Sequence, residues 1–390
     1  MTPPLALIAG AGVAGLSAAW WLGRAGWRSV IVERARNLRG GAYMLGLSGP
    51  GYETAGRMGL HAELAAVAYK VDENVYRDRY GRELLRLRYR EFIRDLPYVA
   101  LRRSDLVAAL HGALPANTEL RLATTITAID QDGRKASAVL SDGAQVDADL
   151  VIAADGFRST LRPLMFGPDD PRLKPLGYRF AVYDIDDPIG LGSDFLSYAE
   201  PGHLAEYYAL RGDRLAALHV WRDGRTGPVP ADARWPLLEH VTARSFGRVR
   251  ELMAKATADG VAPIIDDLTL VDAPVWSKGR VVLLGDAAHC LTLISGQGAG
   301  MAMTSAEMLG RELARSGDVG AALIAHEARL RPAIERLQQR SRRMASMFIP
   351  ESPLAFHVRN VVLRHMPRAW LGRYFLNAVK AEIGLVQEAA

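Results

Sequence analysis

The sequence predicts an α/β protein in which a parallel sheet, an antiparallel sheet and a helical C-terminal segment share one chain. Three observations carry that prediction. The runs LALIA (5–9), LVIAA (150–154) and VVLLG (281–285) are apolar at consecutive positions, as strands buried on both faces must be. Between 178 and 222 the texture turns to alternation, with aromatics in YRFAVYDID, HLAEYYAL and RLAALHVWR split by Pro and Gly, which suits a mostly antiparallel sheet. From 319 onward, ALIAHEARLRPAIERLQQRSRRMASM repeats apolar residues at helical spacing.

The elements follow in order. Pro4 and Gly10 bound the first run, AGLSAAWWLGRAG reads as a helix ending at Gly26, and SVIVE (29–33) is the next strand, which makes one βαβ unit. Strand signals return in ELRLATTITAIDQ, ASAVLSDG and DADLVIAADG between 119 and 156. The turn at Asp142-Gly143 marks an antiparallel piece inserted before LVIAA. The first body is therefore discontinuous, made of 1–70, 97–166 and 271–318. A second domain takes 71–96 and 167–270, and a helical segment takes 319–390.

Composition narrows the function classes. A net charge of +5, with arginine spread along the chain rather than gathered in a block, speaks for solubility and against a nucleic-acid partner. The single cysteine, Cys290, excludes an intrachain disulfide framework and a multi-cysteine metal site, and no metal is expected. MTPPLALIAG lacks the basic region of a signal peptide, and no apolar stretch approaches the roughly 18 residues that span a bilayer. The expectation is a cytoplasmic monomer or homodimer without stable membrane insertion.

Gly10-x-Gly12-x-x-Gly15 follows the first strand and opens the first helix, and Glu33 closes the next strand. Gly10 permits the tight turn, Gly12 lets a pyrophosphate approach the backbone, and Gly15 lets helix and strand pack closely. The helix N-terminus favours the phosphate charge. Glu33 would accept hydrogen bonds from ribose hydroxyls. Gly10, Gly12, Ala14, Gly15 and Glu33 are thus assigned to a dinucleotide in a Rossmann-like unit. This motif alone does not separate FAD from NAD.

The stretch Gly285-Asp286-Ala287-Ala288-His289, followed by Gly296-Gln297-Gly298, resembles the second flavin motif of the FAD-dependent aromatic hydroxylases. That family of group A flavoprotein monooxygenases is typified by para-hydroxybenzoate hydroxylase and includes the tetracycline-inactivating monooxygenases. The resemblance implies tight, non-covalent FAD, with Gly285 and Asp286 at the ribityl chain and Gly296, Gln297, Gly298 and Ala299 at the ring. Backbone N–H groups at that helix start suit negative charge on a reduced flavin. Ala154-Asp155-Gly156 resembles the family's DG sequence, whose aspartate lies near the FAD pyrophosphate and is implicated in nicotinamide-cofactor binding. Arg103 before a helix resembles a further FAD-approaching arginine. Arg34, Arg36 or Arg39 would face phosphate or adenine, and Gly40-Gly41 would let the chain pass over the flavin.

Two positions depart from the family: Leu293 stands where a proline is usual, and Ser305 where an acid is usual. The resemblance implies that NADPH or NADH reduces FAD, O2 adds at C4a, and the hydroperoxide hydroxylates an aromatic or polyketide-like small molecule. A reductase or oxidase on the same scaffold, or a non-catalytic nucleotide sensor, is the alternative. Substrate contacts are expected from the antiparallel domain. Period-2 alternation puts His219 and Trp221 on one face of RLAALHVWR, and Glu206 and Tyr208 on one face of HLAEYYAL. Tyr208, His219, Trp221 and Leu293 are the candidate pocket residues, with His219 placed to deprotonate a phenol. Cys290 reads as a small packed residue.

Overall fold

A computed structural model describes residues 2–38, 43–89, 97–167, 172–191, 195–293, 296–350 and 352–365. Six strands form the central sheet in the spatial order Ser277–Lys278, Val281–Leu283, Leu150–Ala153, Leu5–Ala9, Arg28–Glu33, Thr118–Leu122. All neighbours are parallel except the first pair. Alternate residues feed two cores. Ala6, Ile8, Ile31 and Ile152 pack on helices Val13–Arg24, Arg103–Gly112 and Gly298–Arg315. Leu7, Val30, Val32 and Val151 pack on the other side, with Leu330, Ile334 and Leu337 of helix Val319–Phe348. Both faces are covered, which explains the continuous apolar runs; a fully buried Leu or Ile stabilises by roughly 1.5–3 kcal/mol.

The stretch ELRLATTITAIDQ divides in two. Thr118–Leu122 joins the edge of the parallel sheet, Ala123 turns with φ 52°, and Ile126–Gln131 starts a separate three-stranded antiparallel sheet with Ala136–Leu140 and Gln145–Ala148. Polar-apolar alternation alone did not separate these two destinations.

The large, mostly antiparallel sheet has seven strands, in the order Ile264–Val271, Leu173–Asp186, Arg214–Arg222, His203–Leu210, Phe195–Glu200, Glu73–Arg77, Glu83–Arg88, with only the pair Phe195–Glu200 and Glu73–Arg77 parallel among the described strands. Two helices, Arg234–Thr242 and Gly247–Ala258, cover one face through Leu238, Val249, Leu252 and Met253. A two-stranded ribbon, Met44–Ser48 with Tyr98–Arg102, lies beside it: Met44 packs with Tyr208, Phe195 and Leu218. Helix Pro353–His365 reaches the same face through Phe356.

Helix Gly298–Arg315 is the shared wall. At Gly51 on helix Gly49–Arg57, an added Cβ would come within 2.3 Å of the Gly300 Cα, so only glycine allows this approach. The joint is fastened by Glu307, 3% exposed, which accepts from the Thr54 hydroxyl at 2.6 Å, from Arg57 Nε at 2.6 Å and from Arg311 Nη2 at 2.6 Å. Glu307→Ala is expected to lower unfolding stability by about 2–3 kcal/mol, because a desolvated Thr54 hydroxyl and two arginines lose their partner. Chemical denaturation checks this, and Glu307→Gln should cost less.

Candidate flavin and substrate site

The strand Leu5–Ala9 ends at Gly10, whose φ is +102° and where a Cβ would lie 2.5 Å from the Ala154 carbonyl oxygen. A Cβ on Gly15 would lie 1.9 Å from the Gly10 oxygen. The two glycines therefore bring the first turn flush against the end of strand Leu150–Ala153. Gly12 caps helix Val13–Arg24 without a side-chain hydrogen bond, leaving its N-terminal backbone donors to a ligand. Glu33 is held at its strand end by N–H groups of Ala11 and Ala35, both at 2.9 Å. Each carboxylate oxygen keeps a lone pair for a further donor. Arg34 and Arg36 are exposed, and Arg39 and Gly40 lie outside the described residues.

The second motif arrives from strand Val281–Leu283. Gly285 turns with φ +61°, and a Cβ there would lie 2.8 Å from the Ala14 Cβ, so this turn rests on the first helix. Asp286 starts the short helix Asp286–His289 and comes within 3.8 Å of the place a Gly298 Cβ would take. Burial raises its carboxyl above the ordinary range, opposed by Arg103 and by a hydrogen bond from Cys290. Arg103 Nη2 in turn sits 3.4 Å from the place a Gly12 Cβ would take. Tyr43, half-buried, faces Arg103, Asp286 and Cys290, and burial raises its phenol. Gly12, Arg103, Asp286 and Gly298, from four separated segments, thus meet at the strand ends.

Asp155 completes the group. Its Oδ2 accepts from the N–H groups of Thr160 at 2.7 Å and Leu161 at 3.2 Å, while Oδ1 is buried without a hydrogen-bond partner among the described residues. Arg162, 2% exposed, ties this segment to the second motif by donating to the carbonyls of Phe157 at 2.8 Å and Ala287 at 3.1 Å. Helix Gly298–Arg315 starts without a side-chain cap, with Gly298 and Ala299 half-buried and Gly296 exposed at φ +65°. Gln297 donates to the Ser48 hydroxyl at 3.4 Å. An orphaned carboxylate oxygen, glycine backbones where a Cβ would collide, and uncapped helix starts are the features an FAD molecule requires.

The antiparallel sheet corrects one expectation. His219 and Trp221 lie on the face packed against helices Arg234–Thr242 and Gly247–Ala258, away from Tyr208 and Leu293. His219 is fully buried; its Nε2 meets the Tyr183 hydroxyl at 2.9 Å and its Nδ1 meets His203 Nε2 at 3.2 Å. Burial holds that imidazole well below its usual range, so it is a neutral packing residue. Alternation identifies which residues share a face, but which face meets the flavin depends on the layers outside the strand. The opposite face carries Tyr208 beside Met44, and Leu293 beside Tyr76, Phe180, Leu218 and Phe356.

The family profile of the FAD binding domain matches residues 5–166 and 268–340. The chain belongs to this family. A flavin-dependent monooxygenase of Legionella longbeachae is 27% identical over 342 residues, covering 85% of this chain and 86% of its own. The 3-hydroxybenzoate 6-hydroxylase 1 of Aquipseudomonas alcaligenes is 29% identical over 356 residues, covering 88% and 89%. The solved tetracycline destructase Tet(55) shares the fold with a TM-score of 0.83 at 23% identity, covering 98% of this chain and 97% of its own. As a member of the FAD binding domain family related to these hydroxylases, the protein is an FAD-dependent monooxygenase. Among the described residues no helix is long and apolar enough to cross a membrane.

Behind the second flavin motif lies a layer that sequence reasoning missed. Ser305 Oγ bridges His326 Nε2 at 3.0 Å and His289 Nε2 at 3.4 Å, and the indole of Trp276 lies 4.9 Å from the His289 ring and 5.7 Å from the His326 ring. Only the departure at Ser305 pointed to it. Burial lowers His289 to about 3 and His326 to about 4. In the unfolded chain both take a proton near the ordinary 6.5, so the unfolded state binds more protons below that pH. Stability should therefore decline as pH falls from about 6.5 toward 4, each histidine contributing up to about 1.4 kcal/mol per pH unit. Denaturation curves of His326→Gln against the parent, taken across that window, should show a shallower slope.

Proposed function

We propose that this monooxygenase hydroxylates an aromatic or polyketide-like small molecule, with NADPH or NADH as a transient reductant and O2 as the oxygen source. It works as a monomer or homodimer in the cytoplasm. The observation that carries the reading is the apposition of two surfaces. Arg103 follows strand Tyr98–Arg102, which pairs with Met44–Ser48, and Leu293 lies between Asp286 and Gly298; Met44 and Leu293 both pack on the sheet face that carries Tyr208 and Tyr178.

When bound, FAD supplies the redox chemistry that links reductant, O2 and substrate. The chain's residues do the rest. Gly10, Gly12, Ala14 and Gly15 leave room for the pyrophosphate at a helix N-terminus, and Glu33 accepts from ribose hydroxyls, with Arg34 or Arg39 toward phosphate or adenine. Asp286 and Gly285 would hold the ribityl hydroxyls, and Arg103 and Asp155 would serve the phosphates. Backbone N–H groups after Gly296 and Gln297, at Gly298 and Ala299, would stabilise negative charge on the bound cofactor. Leu293, Met44, Phe180 and Leu218 would exclude water from the space beside it, and Tyr208 contributes a polar group to this wall.

The visible spectrum of the purified protein tests this. A two-banded flavin spectrum that bleaches under anaerobic NADPH or NADH, faster with a polyhydroxylated aromatic present, is expected, with 18O from labelled O2 found in the product. Reductant oxidation that yields only hydrogen peroxide with every aromatic tried would favour an oxidase instead. Asp286→Ala is expected to weaken FAD retention at least about tenfold, since a desolvated acceptor of hydroxyl hydrogen bonds is lost. Unchanged retention would remove the ribityl role from Asp286.

A further inference from the structure

The sheet face turned toward Met44 and Leu293 carries a polar cluster that the cofactor set does not use. Glu206 projects from strand His203–Leu210, paired in register with Ser197 on one side and Leu218 on the other. The Tyr208 hydroxyl donates to Glu206 Oε2 at 2.7 Å. Ser197 Oγ lies 3.2 Å from Glu206 Oε1 and 2.8 Å from Asn74 Oδ1. Asn74 and Tyr76, from strand Glu73–Arg77, also hydrogen-bond the carboxyl, and Tyr89 bonds Asn74. Phe195 meets Tyr208 edge-on at 4.3 Å between ring centroids and Tyr89 at 6.0 Å.

Two consequences follow from this arrangement. The first concerns protons. A serine or tyrosine hydroxyl has one hydrogen to donate and two lone pairs. Tyr208 turns its hydrogen toward Glu206, and Ser197 turns its own toward Glu206 or Asn74, so what they leave for a ligand is acceptor capacity. The second concerns charge. The described groups that hydrogen-bond Glu206 are hydroxyls and an amide, none of them a cation. Arg359, from helix Pro353–His365, acts on Tyr76 instead and is itself bonded to Asn360 Oδ1 at 2.9 Å. Burial accordingly raises the Glu206 carboxyl above its ordinary range. An incoming carboxylate would find acceptors where it needs donors, and an ionised Glu206 would repel it across a desolvated space.

We propose that Glu206 determines substrate specificity: by drawing hydroxyl protons inward it makes this aromatic wall a hydrogen-bond acceptor. The wall selects ring substrates that present a hydroxyl or ammonium donor to it, and rejects those that present a carboxylate. The proposal rests on the reading of this face as the substrate wall.

Isothermal titration calorimetry on the FAD-loaded protein, with three phenols that differ in one substituent, tests it. The probes are 3-hydroxybenzyl alcohol, 3-hydroxybenzylamine and 3-hydroxybenzoate. The alcohol or the amine should bind at least about tenfold more tightly than the benzoate, and whichever is tighter identifies the donor as hydroxyl or ammonium. Glu206→Gln should collapse that ratio. Tyr208→Phe, which keeps the carboxyl, should weaken donor binding yet still disfavour the benzoate. FAD content and melting temperature show whether each variant is folded, and a merely structural role for Glu206 would move these without moving the ratio. Benzoate binding as tight as the others, no measurable binding of any probe, or an unchanged ratio in FAD-loaded Glu206→Gln would overturn the proposal. Failure of the parent reading shows up separately, as absence of a hydroxylated product, and leaves the binding ratio readable.

Discussion

The structure depends on backbones that meet without side chains between them. At the carboxyl ends of the interior strands of the parallel sheet, Gly10 lies against the Ala154 carbonyl, Gly15 against Gly10, and Gly285 against Ala14. Each of these contacts is shorter than a Cβ allows, so each strand end is pulled into one small region. That close approach is what lets segments near 12, 103, 155, 286 and 298 address the same volume. A single extra methyl group at such a point would push apart the elements that hold the site, and also the sheet that they terminate.

Electrostatics within this region follows from the same packing. Asp286 is taken out of water by its neighbours, and Arg103 offsets part of the cost of keeping it charged. Asp155 uses one oxygen to start helix Leu161–Phe166 and leaves the other without a partner among the described residues. A buried acceptor left open in this way is stabilised when a ligand brings a donor or bridges it to a cation. Where the sheet supports the site from behind, the ionisable groups are kept neutral: His219, His289 and His326 are all buried and all shifted toward the uncharged form. Burial thus favours the neutral form of these three imidazoles, while the buried Glu307 elsewhere in the fold is matched by Arg57 and Arg311.

The two faces of the antiparallel sheet show how one strand serves both purposes. In Arg214–Arg222, Leu215, Ala217, His219 and Trp221 fill the layer beneath two helices, while Ala216, Leu218 and Val220 face Met44, Leu293 and helix Pro353–His365. The face with more aromatic and ionisable residues on this strand is the structural one. On the neighbouring strand the two faces are matched, with His203 and Tyr207 in the layer beneath the helices and Glu206 and Tyr208 on the side of Met44. Side-chain chemistry is therefore a poor guide to which face is functional, and register decides it.

What the sequence by itself determined is local and covalent in origin. The spacing of Gly10, Gly12 and Gly15 between an apolar run and a helix, with Glu33 at the next strand end, is a backbone requirement readable within 30 residues. The Gly285-Asp286 and Gly296-Gln297-Gly298 pair is legible by its resemblance to a flavin motif, and the mixed α/β class and the helical C-terminal region by their apolar periodicity. Tertiary structure alone decided which faces meet. Tyr43, Asn74, Tyr76 and Ser197 have no distinguishing pattern in their own segments and acquire their partners from strands and helices far along the chain. His219 was misread for the same physical reason: a period of two defines a pair of faces, and only the burial of one of them under distant helices assigns the roles.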